Sequence, residues 1–139
     1  MSASPLSPNV IGGDRYITGT NVETGITATA SGNQSNAYAL TAQISRIDTV
    51  GSGNDSVALP KITVSADSVA YPGQVGMIMF VRNNAGANSM QVYGTTPDTI
   101  NSVATGTGVA VAAGKSAIFW CDGYTQSTNV GTWQMVLSA

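Results

Sequence analysis

The chain of 139 residues contains no histidine and only one cysteine, Cys121. Without histidine, it has neither the side chain that most often acts as a general base near neutral pH nor the commonest metal ligand. A single cysteine excludes an intrachain disulfide, and a catalytic thiolate there would need an activator other than histidine. We therefore interpret Cys121 as a small buried apolar residue, and we predict that the protein is not an enzyme and holds no cofactor.

Charged residues are also scarce. They make up 9% of the chain, against roughly a quarter in typical globular proteins, and the formal net charge is -2. Binding to a nucleic acid backbone needs a clustered basic patch, so we predict no nucleic acid partner. A surface with so little charge repels other copies only weakly. The five basic residues are scattered along the chain: Arg15, Arg46, Lys61, Arg82 and Lys115.

Long apolar runs are missing as well. No stretch approaches the roughly 18 residues that a membrane helix needs, and we predict no contact with a membrane. The first ten residues, "MSASPLSPNV", have neither the basic segment nor the apolar run of a secretory signal. We therefore expect the protein to be made in a cytosol and not to leave through standard secretion.

The chain's carboxylates fall mostly in predicted turns, where the short aspartate side chain is favoured because it bonds to nearby backbone groups. Two places offer several oxygen ligands close together: Asp98 with Asn101, and Asn54 with Asp55. Either place could lend ligands to calcium, but neither has the ligand density of a dedicated calcium loop. We interpret these aspartates as structural and predict no metal site.

Three aromatic residues near the C-terminus raise a second hypothesis. Trp120, Tyr124 and Trp133 could stack on a sugar beside amide and carboxylate side chains. The alternative is that both tryptophans belong to the core or to a subunit contact, and we favour it. Tyr124 lies in a polar loop and is the aromatic residue we expect to be exposed.

The strongest pattern in the chain is the alternation of apolar and polar residues. It is clearest in "AYALTAQIS", where every second residue from Tyr38 to Ile44 is apolar, as in a half-buried strand. Roughly eight such segments follow one another with turn signals at intervals of about 8–12 residues. We predict an all-β fold, a single antiparallel, jelly-roll-like β-sandwich over residues 26–139. An immunoglobulin-like sandwich or a small barrel is the alternative.

Two segments are predicted to form strand pairs. "GMIMFVR" and "SMQVYG" flank the turn-forming "NNAGAN", and the continuous apolar run in the first half predicts a strand covered on both faces. "GVAVA" and "SAIFWC" form a second predicted strand pair. The side chains predicted to be buried in these strands and in the closing strand are Met79, Val81, Met90, Val92, Ile118, Trp120, Trp133 and Met135.

Residues 1 to about 20 carry two prolines and three glycines and no periodicity, so they predict no regular element. They are either a disordered terminus or an arm that becomes ordered on a partner. A purely solvating tail would not need apolar residues, so we predict an extended arm over residues 1–25 that binds a partner. Its predicted anchors are Leu6, Val10, Ile11, Tyr16 and Ile17.

The last two-thirds of the chain resembles small structural proteins of tailed bacteriophages and prophages. The resemblance covers roughly residues 55 to 139 and is carried by "VALP", "PGQVGMIMFVRNNAGANSMQVYG", "TPDTIN", "GVAVAAGKSAIFWC" and "GTWQMVLSA". The chain departs from that pattern in "YG", where the family has "YP", and in the extended loop "YTQSTNVG". Proteins of this kind carry no catalytic residues, so none can be carried over.

The resemblance implies a virion component, specifically a decoration (cement) protein that binds and stabilises the capsid surface. The implied partners are the major capsid protein and further copies of the chain, since decoration proteins often occupy three-fold positions and form homotrimers. The implied location is the capsid surface of the virion, after synthesis in the cytoplasm of a bacterial host. The alternative is a head-fibre, tail or baseplate component that contacts a host receptor or glycan.

Overall fold

A computed structural model describes residues 21–63 and 73–139. These ranges contain ten β-strands and no helix. The first five strands are β1 (Val22–Thr27), β2 (Tyr38–Ala39), β3 (Ile44–Thr49), β4 (Ser56–Leu59) and β5 (Ile78–Asn83). The next five are β6 (Met90–Gly94), β7 (Thr99–Ile100), β8 (Val109–Val111), β9 (Ser116–Thr125) and β10 (Val130–Leu137). Strand β1 includes the last residues of the segment that the sequence assigns to the arm.

The strands form two sheets with a shared core. The six-stranded sheet has the order β1-β3-β5-β9-β10-β7, and the four-stranded sheet has the order β2-β4-β6-β8. Buried apolar side chains from both sheets belong to one hydrophobic cluster. The prediction of an all-β fold is therefore confirmed.

Both sheets are mixed, so the prediction of purely antiparallel pairing is wrong, and a jelly-roll order is not confirmed. From β1 to β9, each described strand lies in the opposite sheet from the strand before it. In the first six strands the chain returns to each sheet in its original direction, so β1, β3 and β5 pair in parallel, and so do β2, β4 and β6. The later strands change direction, because β6 pairs antiparallel with β8, and β9 pairs antiparallel with β5 and β10.

The segment "NNAGAN" shows why the predicted hairpin does not form. It joins β5 in one sheet to β6 in the other, so it is a connection between sheets. Asn83 is buried, and its side-chain amide donates to the backbone oxygens of Asn88 and Val111 at 3.0 and 2.9 Å. Asn88 has a φ of 72°, and its amide donates to Val50 and Gly51. The turn-forming residues are there, but their side chains fasten the loop to both sheets. The predicted pair "GVAVA" and "SAIFWC" is divided in the same way, as β8 and β9.

Most of the predicted core is buried. Met79, Val81, Met90, Val92 and Trp133 are at most 1% exposed. The three exceptions are in β9 and β10: Ile118 is 40% exposed, and Trp120 and Met135 are half-buried.

The prediction that β5 is covered on both faces is also wrong. Its residues alternate strictly between exposed and buried positions. Met79 and Val81 point into the core, whereas Ile78 and Phe80 are 43% and 42% exposed.

A buried aspartate joins the two sheets at one end. Asp98 lies in the connection from β6 to β7, and its carboxylate accepts from the Lys61 ammonium at 2.7 Å, the Ile62 amide at 2.8 Å and the Gly131 amide at 2.7 Å. Lys61 also donates to the backbone oxygens of Ile62 and Asn129. Residues beyond β4, before β7 and within β10 therefore meet at one carboxylate.

Gly131 is required at this contact. A Cβ atom there would lie 2.4 Å from the Ile62 Cβ and 3.1 Å from the Asp98 carboxyl carbon. No other residue type allows the backbone of β10 to approach so closely.

We predict that Asp98→Asn lowers the free energy of unfolding by about 3–5 kcal/mol, because it leaves the largely buried Lys61 without its counter-charge. It also turns a carboxylate oxygen that receives N–H groups into an N–H donor. The measurement is urea unfolding of both proteins. Asp122→Asn is the matched control, because Asp122 is exposed and accepts only from Gln134 among the described hydrogen bonds. Equal losses in the two variants would contradict the assignment.

The second prediction concerns Trp133, which is fully buried between the sheets. Trp133→Ala should cost about 3–5 kcal/mol, because it leaves a large cavity in the core. The indole N–H has no acceptor among the described residues, so Trp133→Phe removes an unpaired donor and should cost clearly less than the alanine variant. Thermal and urea unfolding would measure both. A loss below roughly 1 kcal/mol for Trp133→Ala would be inconsistent with a core position.

Candidate interaction surface

A line of apolar side chains crosses the outer face of the six-stranded sheet. Val22 lies opposite Ile44, Ile44 opposite Phe80, Phe80 opposite Ile118, and Ile118 opposite Val136. Residues paired across neighbouring strands point to the same face of a sheet. Five strands thus place five large apolar side chains side by side. We call these five residues the apolar row.

Four of the five side chains of the apolar row are exposed to solvent, and the fifth, Ile44, is half-buried. Val22 and Val136, at its ends, are 58% and 55% exposed, and Phe80 and Ile118, near its middle, are about 40% exposed. Single exposed apolar residues are normal on a protein surface, whereas a contiguous set is typical of an interaction site.

The row forms the floor of a groove. The groove has a volume of about 590 Å³ and is lined by residues of β1, β3, β5, β9 and β10, together with Ser138. This volume lies within the roughly 300–1,000 Å³ of ligand pockets, and it is enough for several side chains of a partner segment. Its walls are mainly apolar, so it favours a partner that buries hydrocarbon.

Two arginines border the groove on one side. Arg46 and Arg82 lie opposite each other on β3 and β5, one residue pair beyond polar Ser45 and buried Val81. Like charges placed directly opposite each other in a sheet are unfavourable. The two guanidinium groups lie close together at the edge of an apolar surface. A carboxylate of a bound partner would therefore pair with both of them.

The two arginines differ in their partners. Arg46 donates to both carboxylate oxygens of Asp48, with a shortest distance of 2.9 Å. The hydrogen bonds from Arg46 and then from Asn84 hold the pKa of Asp48 below its usual value. Arg82 donates to neutral groups instead, namely Asn84, Gly114 and Ser116, and no described carboxylate pairs with it.

Trp120 lies on the same face, in the next line of side chains. It is half-buried and paired with Ile78 on β5 and Gln134 on β10. The structure does not bring the three aromatic residues of the sugar hypothesis together. Trp133 is inside the core, and Tyr124 donates its hydroxyl to Asn129 at 2.7 Å, with Lys61 lying 5.7 Å from the centre of its ring.

The side-chain oxygens of Asp98, Asn101 and Asp55, from the two possible calcium sites, accept hydrogen bonds within the chain. Asp98 receives Lys61 and two backbone amides, as described above, and Asn101 accepts from the Met135 amide at 2.8 Å. Asp55 accepts from the Ser52 hydroxyl at 2.7 Å and from the amides of Ser31, Gly51 and Ser52. In residues 21–63 and 73–139, no group of three or more Cys, Asp or Glu side chains is placed to hold a metal ion.

Cys121 is buried, and its thiol lies 3.4 Å from the backbone oxygen of Gly123. Burial raises the pKa of this thiol above its usual value. The thiolate, which is the nucleophilic form, is therefore disfavoured.

Comparison of the chain with protein-family models, with curated proteins and with solved structures finds no match. No helix in the described part of the chain is long and apolar enough to cross a membrane.

The predicted anchors of the arm lie outside the described residues: Leu6, Val10, Ile11, Tyr16 and Ile17. The apolar row was missed from the sequence. Its signal is the unbroken apolar character of "MIMFV" and "AIFW", in which Phe80 and Ile118 occupy the positions that a one-sided strand would fill with polar residues.

The lowered pKa of Asp55 gives a prediction for pH dependence. The hydrogen bond from the Ser52 hydroxyl, followed by those from three backbone amides, lowers this pKa in the folded chain. A depressed folded pKa stabilises the fold above the unfolded pKa of about 3.9, and this contribution is lost as pH falls through the folded value. The free energy of unfolding should therefore decrease below about pH 4.

Urea unfolding from pH 2.5 to pH 6 would measure this loss. Asp55→Asn should make the dependence shallower, because it removes one group that titrates. Asp122→Asn serves as the control for the loss of an exposed carboxylate. A variant at Asp55 with the slope of the natural chain would show that its hydrogen bonds do not stabilise the charged form.

Proposed function

We propose that the protein is a virion structural protein that binds and stabilises the capsid of a tailed bacteriophage as a decoration protein. The observation that carries the proposal is the apolar row, an exposed and contiguous apolar face on a chain with few charges. Such a face suits a permanent contact with another protein. We also propose that the two sheets pack face to face as a β-sandwich. The phage assignment itself comes from the resemblance in residues 55 to 139.

The proposed action is mechanical, without catalysis or a cofactor. The outer face of the six-stranded sheet contacts the major capsid protein, and the arm adds anchors at a neighbouring position. A subunit that touches more than one capsomer must break several contacts at once before the capsomers separate. We propose a homotrimer as the bound form, at three-fold positions of the capsid surface. The arm anchors in this proposal are Leu6, Val10, Ile11, Tyr16 and Ile17.

A second candidate function follows from Trp120. Its half-buried indole stands beside the apolar row with Gln134 next to it, and an aromatic face with a nearby amide is a common way to hold a sugar ring. This favours a head-fibre, tail or baseplate component that contacts a host glycan. The position of the gene beside capsid genes or beside tail genes distinguishes the two functions.

Particles that lack the protein should break at a lower temperature than complete particles. Replacing Phe80 and Ile118 together by serine should reduce occupancy on particles by about tenfold or more, because burial of each large apolar side chain contributes roughly 1.5–3 kcal/mol. Both effects can be measured by thermal release of DNA and by quantifying bound protein on purified particles.

The control for the serine variant is Val75→Ser, which alters an apolar side chain that is 55% exposed and outside the row. It should bind normally. Equal thermal stability of complete and deficient particles would exclude the cement function and favour the glycan-binding candidate.

A further inference from the structure

The apolar row starts at the point where the described chain starts. Val22 is the first residue of β1 and the first member of the row, and residues 1–20 precede it directly. We propose that residues 10–17 of the same chain lie across the apolar row in the free protein and cover it. This proposal concerns the protein before it meets any partner, so it does not depend on the capsid function.

The start of β1 is held firmly beside the groove. The backbone oxygen of Asn21 accepts from the Ile44 amide at 3.2 Å. The Asn21 side chain accepts from the Gln43 amide at 3.0 Å and donates to the Thr41 oxygen at 3.2 Å. The segment that precedes Asn21 is thus tethered at one end of the row, on the side of Ile78 and Trp120.

The residues between Ile17 and Val22 are long enough for the segment to reach the row. Ile17 is five residues before Val22, a span of up to about 17 Å in an extended chain. Phe80 and Ile118 lie two and three strands from β1, which corresponds to about 10 and 14 Å. Gly19 gives the chain the conformational freedom to reverse its direction over the sheet.

The chemistry of the segment matches that of the groove. Its apolar residues would bury hydrocarbon against the row, and Asp14 is the only carboxylate that precedes β1. A carboxylate at this place would pair with Arg82, which has no carboxylate partner in the described part of the chain. Arg15 lies next to Asp14, so the net charge of the covering segment stays small. The apolar residues in question are Val10, Ile11, Tyr16 and Ile17.

The covering segment is assigned to the same chain because of its local concentration. Because only four residues separate Ile17 from Val22, the segment is kept at an effective concentration in the millimolar range, above the concentration of a second copy in ordinary solutions. The chain also needs such a cover. An exposed apolar face on a protein with so few charges would otherwise promote self-association.

Trp120 provides the first test. Acrylamide quenching of tryptophan fluorescence is measured on the full chain, on a Tyr16→Ser/Ile17→Ser variant and on Leu6→Ser, a control at an apolar residue that precedes residues 10–17. The double variant should raise quenching by roughly twofold, since a half-covered indole becomes accessible while Trp133 stays buried. The control should match the natural chain. Equal quenching in all three proteins, or an equal rise in both variants, would overturn the proposal.

A cross-link identifies which chain supplies the cover. Cysteines are introduced by Ile17→Cys and Ile118→Cys, and the dilute protein is oxidised and run on a non-reducing gel. We expect a disulfide within one chain, seen as a monomer band that migrates faster than the reduced protein, and we expect no such shift for the control pair Ile17→Cys and Ala110→Cys on the other sheet. Two cysteines must come within about 7 Å between Cα atoms to be bridged. A dimer band would mean that a second copy supplies the segment, and no band shift would mean that the row is uncovered. Either outcome would overturn the proposal.

Discussion

The buried contact between Asp98 and Lys61 determines how the rest of the structure is arranged. A carboxylate without exposure to solvent is stable only when its charge is matched and its oxygens are hydrogen-bonded. Here the Lys61 ammonium and the Ile62 amide, which follow β4 of one sheet, and the Gly131 amide, in β10 of the other, meet that demand. Because the Gly131 amide is one of these donors, the contact fixes the position of β10. The alignment of β10 with β9 then places Val136 beside Ile118 and completes the apolar row.

The sequence allowed the class of fold and most of the core to be predicted, because alternation depends only on nearest neighbours. Met79, Val81, Met90 and Val92 were assigned to the core on this ground, and they are buried. The partner of each strand was not predictable, because a turn residue such as Asn88 serves a hairpin and a connection between sheets equally well. Local backbone preference does not encode which sheet the next strand joins.

The candidate surface was harder to predict for a related reason. An unbroken apolar strand is explained either by burial on both faces or by an exposed binding face, and the residues alone do not distinguish them. The decisive fact is what lies above Phe80 and Ile118, and this depends on the packing of the whole chain. The role of Asp98 was hidden in the same way, since its ammonium partner is 37 residues away in the sequence. The sequence indicated a structural role for Asp98 in a turn, whereas its lysine partner is visible only in the structure.

The crossing of the chain between the sheets also has a consequence for the order of assembly. Only β9 and β10 are consecutive strands that share a sheet in the described ranges, so they alone can form by local zippering. Each earlier strand pairs with a strand that comes later in the chain, after at least one strand of the other sheet. The two paired strands β5 and β9 are separated by much of the second half of the chain. Formation of such distant contacts is slow, because the loops must close before the contacts stabilise them. On the ribosome, the N-terminal half of this chain therefore emerges before the hairpin on which its sheet is built.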